Sequence, residues 1–253
     1  VFADAQELGR TLAAEILAGV EEARKNGKKY LLGCPGGRSL LSTYIALGDL
    51  AKEKGADLSN LVIVMMDDYV LQEGGAFVHC PPDAHYSCRR FGREDIVGRL
   101  NAGLPEKHRI PPDQLWFPDP AKPLDYEKRL EAAGGIQLFL LASGVSDGHV
   151  AFNPPGSPVD SLTRNIPLAE TTRVDNMKTF PDFKDLAEVP SYGVSVGVGT
   201  ILKHSKTAVM VIHGAHKRSS LQTLLTFKDY DPSWPASLIT RCPGMRIYTD
   251  IKL

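Results

Sequence analysis

The sequence predicts an α/β protein: a single doubly wound, Rossmann-like domain with a mostly parallel sheet and helices on both faces. Three observations predict it. Short apolar runs recur at residues 30–33, 61–66, 136–142 and 208–213. They are too short to be helices and too continuous to be half-exposed strands, so they suit strands buried on both faces of a parallel sheet. Segments with helical spacing alternate with these runs. Each run also stops at Gly, Ser or Asp, which is where an open α/β sheet binds ligand, outside the carboxyl ends of its strands.

In chain order, Leu8, Leu12, Ala13, Ile16, Leu17 and Val20 lie at helical spacing within residues 4–24, and Asn26-Gly27 closes that helix. The apolar run at 30–33 leads into Pro35-Gly36-Gly37-Arg38-Ser39, and residues 40–54 read as a helix. The run at 61–66 ends at Asp67-Asp68. Residues 71–86 contain Gly74-Gly75 and Pro81-Pro82 without periodicity and are expected to form a long loop. A helix is expected over 87–100, a proline-rich connection over 101–123 and a helix over 126–133. Residues 156–192 mix Pro, Thr, Asp and Lys and are expected to form a mobile flap. A helix over 216–225 and a strand over 246–249 complete the chain. There is no internal repeat, low-complexity segment or clean linker, so residues 1–253 are expected to form one domain.

Composition narrows the function classes. Hydrophobic content of 43% and charged content of 23% are those of a soluble globular chain. A formal net charge of −1 gives no reason to expect a nucleic-acid partner. No apolar stretch is long enough to span a membrane, and the residues from Val1 onward carry no signal-peptide pattern. Cys34, Cys80, Cys88 and Cys242 form no CxxC pair and no zinc spacing, and are expected to be free thiols in a cytoplasmic protein. The histidines form no HExxH or comparable pattern, so no metal is expected.

Three stretches carry candidate chemistry. Strand, Gly36-Gly37 turn and helix together offer backbone N–H groups to an anion, with Arg38 and Ser39 adding charge and a hydroxyl. The glycines fit neither GxGxxG nor Walker A, and by themselves read equally as a tight turn. Asp67-Asp68 places two carboxylates at the end of an apolar run, where one held against an apolar wall can shuttle protons; the alternative is a capping or turn aspartate. Asp147-Gly148-His149 follows the run at 136–142 and reads either as acid–base chemistry or as a turn with a surface histidine. Gly144-Val145-Ser146-Asp147-Gly148 matches GxSxG, but a nucleophile elbow needs a helix straight after the serine, which Asn153-Pro154-Pro155-Gly156 prevents. Gly193, Gly197 and Gly199 are expected to be close-packing glycines.

Taken together, LLGCPGGRSLLSTY, VIVMMDDYV and ASGVSDGHVAFNPPGS resemble the glucosamine-6-phosphate deaminases (isomerases), which share a superfamily with the 6-phosphogluconolactonases. VPSYGVSVGVGTIL and Gly214-Ala215-His216-Lys217 continue the match, which covers roughly residues 5–250. The resemblance implies that Gly36, Gly37, Arg38, Ser39, Lys178 and Lys217 hold a substrate phosphate. It implies that His149, supported by Asp147, opens the pyranose ring, and that Asp67 moves a proton between C2 and C1. Arg173 helps shape the flap. The implied reaction converts an amino-sugar phosphate and water to a ketose phosphate and ammonia without a cofactor, in a monomer or a homo-oligomer. The chain departs from the resemblance at Pro154, where these enzymes usually have a glutamate partner for the histidine, and at Ile166, where regulated members have a lysine. Two other readings remain open: a sugar-phosphate lactonase in which Asp67 is dispensable, and a sensor that binds sugar phosphate without turning it over.

Overall fold

The computed structural model describes residues 1–253. Its centre is a six-stranded sheet in the order β10-β9-β6-β1-β2-β5. These strands are β1 (Tyr30–Cys34), β2 (Leu61–Met65), β5 (Leu115–Trp116), β6 (Leu138–Ala142), β9 (Ala208–Val211) and β10 (Arg246–Tyr248). Every pairing in it is parallel. Alternate residues of each strand serve opposite faces. Leu32, Ile63, Leu138 and Leu140 pack with α1 (Ala5–Lys25) and α2 (Leu41–Lys54), while Leu31, Val62, Val64, Phe139 and Leu141 pack on the other face. That other face is covered by α5 (Leu124–Ala132), α7 (Val198–His204) and α8 (Arg218–Leu224).

The helices obey local rules. Asp4 caps α1 by accepting from the Glu7 N–H at 2.7 Å, and Asn26 closes it. Gly55, left-handed at φ 57, ends α2. The helical stretch expected over 87–100 is α3 (Cys88–Phe91), a π-helical segment Gly92–Gly98 and α4 (Arg99–Asn101), with Ser87 as its cap.

The structure corrects one expectation and adds detail to two others. Residues 71–86 are not simply a loop: β3 (Asp67–Glu73) and β4 (Ala76–His79) form a hairpin whose two turn residues, Gly74 and Gly75, both have positive φ. The parallel sheet is also not alone. β3 and β4 join β7 (Arg164–Pro167) and β8 (Tyr192–Ser195) in an antiparallel sheet ordered β4-β3-β8-β7. Finally, residues 156–192 contain β7 and a helix, α6 (Glu170–Thr179), so a strand of the antiparallel sheet lies within this segment. The expected close packing of Gly193, Gly197 and Gly199 is present: a Cβ on them would meet the Phe152 ring, Ser161 and Asp160. All four cysteines are unpaired and buried, and no helix is long and apolar enough to cross a membrane.

Candidate active site

Strand order fixes where the cavity lies. From β1 the chain moves outward through β2 to β5, and from β6 it moves the other way through β9 to β10. The order reverses between β1 and β6, and a crevice opens outside the carboxyl ends of strands at such a reversal. A cavity of 590 Å³ occupies it, lined on one side by residues 35–39 and on the other by residues 142–145.

Gly36, Gly37, Arg38 and Ser39 form the turn between β1 and α2, with Gly37 at φ 82. Lys217 arrives from the turn after β9. Its Nζ donates to Ser39 Oγ at 3.1 Å and to the Ser143 carbonyl at 3.0 Å, tying together the loops that follow β1 and β6. Burial lowers the Lys217 ammonium to about 8; Asp175 opposes that shift and Arg38 adds to it. His213 Nε2 donates to the Ser39 carbonyl at 3.0 Å. Lys178 and Arg38 are less enclosed. The Lys178 side chain is 70% exposed with Nζ 3.4 Å from Asp175, and the Arg38 guanidinium donates to the Lys178 carbonyl at 3.0 Å. The structure thus brings together every residue expected at a phosphate, with Lys217 built in and Lys178 at the rim.

Asp67 and His149 also line the cavity. Met66 is the single residue between the parallel sheet and the antiparallel one, so Asp67 and Asp68 sit at their seam. Strand alternation sends them to opposite sides. Asp68 turns away from the cavity and is fully buried. It accepts from the Cys88 N–H at 2.9 Å, and lies 2.9 Å from His79 Nδ1 and 3.2 Å from Arg89 Nε. Asp67 and Tyr69 line the cavity. The one side-chain donor to the Asp67 carboxylate is the Cys88 thiol, 3.6 Å from Oδ1. Burial is the main influence on Asp67 and pushes its carboxyl up to about 7; the Cys88 thiol and the His149 charge oppose the rise, and Asp68 adds to it.

Asp147 and His149 form a pair in the loop after β6. His149 Nδ1 lies 2.7 Å from Asp147 Oδ1, which also accepts the His149 backbone N–H at 3.1 Å. This leaves Nε2 for the cavity that His149 lines. Burial alone would raise the Asp147 carboxyl, but the bond and charge of His149 and a bond from Thr171 outweigh it and hold it at about 2. Gly144 makes the pair possible, since a Cβ there would strike the His149 ring and Asp147. Ala151, two residues further on, is the one non-glycine residue with positive φ, at 50. Ser146 is exposed and its Oγ lies 3.4 Å from Asp175, with no helix following it, so GxSxG here is not a nucleophile elbow. Arg173 lies outside the cavity lining and donates to the Val189 carbonyl at 2.9 Å, bracing residues 186–189. Pro154 brings no side-chain acceptor, and its carbonyl takes the Ser157 hydroxyl at 2.7 Å. No three His, Cys, Asp or Glu side chains converge where a metal ion could sit.

Sequence reasoning missed Cys88, Tyr69, Asp175, Asn176 and His216, which line the cavity, and Thr171 and Thr172, which touch the Asp147–His149 pair. None carries a local signature. Tyr69 and His216 follow from their neighbours Asp67 and Lys217; the others are recruited by fold contacts with residues far away in sequence.

Fold and site together define the class: a Rossmann-like α/β protein whose switch-point cavity combines an anion-suited end with acid–base side chains at the other. The sequence matches the family described as glucosamine-6-phosphate isomerases/6-phosphogluconolactonase over residues 3–247, and the chain belongs to that enzyme family. It is 33% identical to the glucosamine-6-phosphate deaminase of Bacteroides thetaiotaomicron over 226 residues, covering 86% of this chain and 76% of that protein. It is 30% identical to the glucosamine-6-phosphate isomerase of Candida albicans over 248 residues, covering 94% and 92%. Among solved structures, a monomeric glucosamine-6-phosphate deaminase has the same fold at TM-score 0.80 and 23% identity, over 96% of this chain and 93% of that one. The 6-phosphogluconolactonase of Trypanosoma brucei shares it at TM-score 0.66 and 19% identity, over 98% and 93%.

Proposed function

We propose that this protein is an aldose–ketose isomerase and deaminase that converts an amino-sugar 6-phosphate, glucosamine-6-phosphate or a close relative, and water to a ketose phosphate and ammonia. One observation carries the reading. A buried carboxylate without a cationic hydrogen-bond partner, Asp67, shares a cavity with an imidazole whose Nε2 is free, and basic side chains stand at the other end. His149 opens the pyranose by exchanging a proton with the ring oxygen and O1. Asp67 then carries a proton between C2 and C1 of the open chain, a task suited to a carboxyl held near neutrality. The phosphate sits among Gly36, Gly37, Arg38, Ser39, Lys178 and Lys217, far from the reacting carbons, where its binding energy serves orientation. Within residues 156–192, the part around α6 that lines the cavity acts as a flap over the site, and sugar phosphate protects it from protease. The relatives named glucosamine-6-phosphate deaminase support this reading.

Ammonia release across a panel of amino-sugar 6-phosphates tests it, with Asp67→Asn as control. Ammonia from one member, abolished by the substitution, is the expected result. Pro154 favours a second reading, a sugar-phosphate lactonase, because it leaves Asp147 as the only carboxylate bonded to His149. No ammonia from any member, together with lactone hydrolysis that survives Asp67→Asn, would replace the first reading with the second.

A further inference from the structure

Helix α6 touches both ends of the cavity. In its first turn, Thr171 Oγ1 donates to Asp147 Oδ2 at 2.5 Å, and Thr172 Oγ1 lies 3.3 Å from His149 Nδ1. In its last turn, the Lys178 carbonyl accepts from Arg38 at 3.0 Å. Between these points Asp175, Asn176 and Thr179 form cavity wall. Lys217 also links the two loops, through Ser39 and the Ser143 carbonyl, but α6 is the element that bonds directly to Asp147.

The bond from Thr171 has a definite geometric effect. Asp147 Oδ1 is committed to His149, through both the ring Nδ1 and the backbone N–H. With only those bonds the carboxylate could pivot about Oδ1, and the imidazole with it. A second donor on Oδ2 fixes the carboxylate plane, and with it the tilt of the ring whose Nε2 faces the cavity. Support of this kind sets the orientation and tautomer of a working histidine.

We propose that Thr171 is a positioning residue for His149, and that helix α6 uses it to make the set of the Asp147–His149 pair depend on an anion in the Gly36–Ser39 loop. The proposal deepens the isomerase–deaminase reading and rests on His149 as its ring-opening group. An anion that draws Arg38 and Lys178 together settles the C-terminal end of α6, and the rigid helix passes that to Thr171. The non-reacting phosphate then organises the group that starts the reaction, as well as anchoring the sugar.

Thr171→Val removes the hydroxyl at nearly constant volume, and Thr171→Ser keeps it. The Thr171 side chain is on the surface, so both variants are expected to fold, with Thr171→Val losing at most a few degrees of Tm along with its bond to Asp147. Thr171→Val should lower kcat about tenfold or more while moving KM less than about threefold, as misorientation of a reacting group does. Thr171→Ser should restore kcat to within about threefold of wild type. A second readout needs no turnover: the imidazole NMR signals of His149, assigned by their loss in His149→Gln, recorded with and without inorganic phosphate. Phosphate should shift them in wild type and in Thr171→Ser, and leave them unmoved in Thr171→Val although phosphate still binds. Wild-type kcat in Thr171→Val overturns the proposal, as does a phosphate response of His149 that persists in that variant or is missing from wild type. Failure of the deaminase reading is seen separately, as absence of ammonia from the unmodified protein, and leaves the NMR result to decide the coupling.

Discussion

Two of the molecule's carboxylate–imidazole pairs are flanked by threonines, and only one of these two faces the cavity. Asp147 pairs with His149 and is touched by Thr171. Glu127, on the far face of the parallel sheet, lies 3.1 Å from His204 Nε2 and accepts from the Thr163 and Thr200 hydroxyls at 2.5 Å each and from the Thr163 N–H at 2.9 Å. The inventories are nearly the same, but the outcomes differ. His204 is 4% exposed and spends Nε2 on its carboxylate; His149 is 17% exposed and spends Nδ1, leaving Nε2 toward the cavity. The Glu127 cluster locks α5, α7 and the start of β7 together. The Asp147 cluster leaves one imidazole nitrogen open to the cavity. What separates structural support from chemistry is which ring nitrogen the carboxylate takes, and whether a cavity meets the other one.

Substitution at the cavity should have the largest effect. His149→Gln or Asp67→Asn should lower kcat by about 10²–10⁴ with little loss of folding, measured by ammonia release. Glu127→Ala should do the reverse. Breaking a buried, hydrogen-bonded pair costs about 3–5 kcal/mol, roughly ten degrees of Tm in a chain of this size, with kcat in the surviving fold unchanged. Burial works against the Glu127 carboxylate, but the bonds from Thr163, Thr200 and His204 lower its carboxyl overall. Its contribution to stability is therefore present above the ordinary carboxylate range and lost as pH falls, so the Tm deficit of Glu127→Ala should shrink in acid.

Asp67 predicts the opposite pH dependence. Its folded carboxyl stands at about 7, above the ordinary carboxylate value. A raised group favours the folded state at low pH and loses that contribution as pH rises toward about 7. Asp67→Asn should then be more thermostable than wild type at pH 8, by several degrees, and lose that advantage in acid. In kcat/KM, ionisation of Asp67 should give a limb rising through about 7, and loss of the Lys217 proton a limb falling through about 8. Lys217→Met should remove the second limb and raise KM.

The smallest effect belongs to Cys88. A hydroxyl is a stronger donor than a thiol, so Cys88→Ser should move the rising limb to lower pH, and Cys88→Ala, with no donor, should move it to higher pH, each by less than about one unit. Movement of both in the same direction would show that the thiol acts on Asp67 through space-filling alone.

Much of this was legible in the sequence wherever a local pattern carries the information. The apolar runs at β1, β2, β6 and β9 give themselves away by length and by the residues that stop them, and those stops are the cavity. The hairpin of β3 and β4 was hidden because β3 opens with two charges, so its alternation looks broken, although Gly74-Gly75 was the sign of a two-residue turn. Asp67 and Asp68 are indistinguishable as letters. Only the alternation of β3 and the arrival of His79 and Arg89 make one a paired structural anion and leave the other unpaired at the cavity. Thr171 and Cys88 could not be found, because a single hydroxyl or thiol acquires its role from a partner that no spacing rule connects to it.

The reversal of strand order between β1 and β6 also governs how the molecule is made. β1 can pair with β2 as soon as both have left the ribosome, but its other edge waits for Leu138 and Phe139, which follow more than a hundred residues later. Until then the most central strand of the finished sheet is an edge, apolar on both faces, the kind of surface that recruits foreign strands. Ser39 likewise waits for Ser143 and Lys217. The nascent chain therefore carries an exposed apolar edge before its cavity exists; β6 moves that edge from β1 to itself, β9 covers it in turn, and the cavity is complete only once Lys217 has followed.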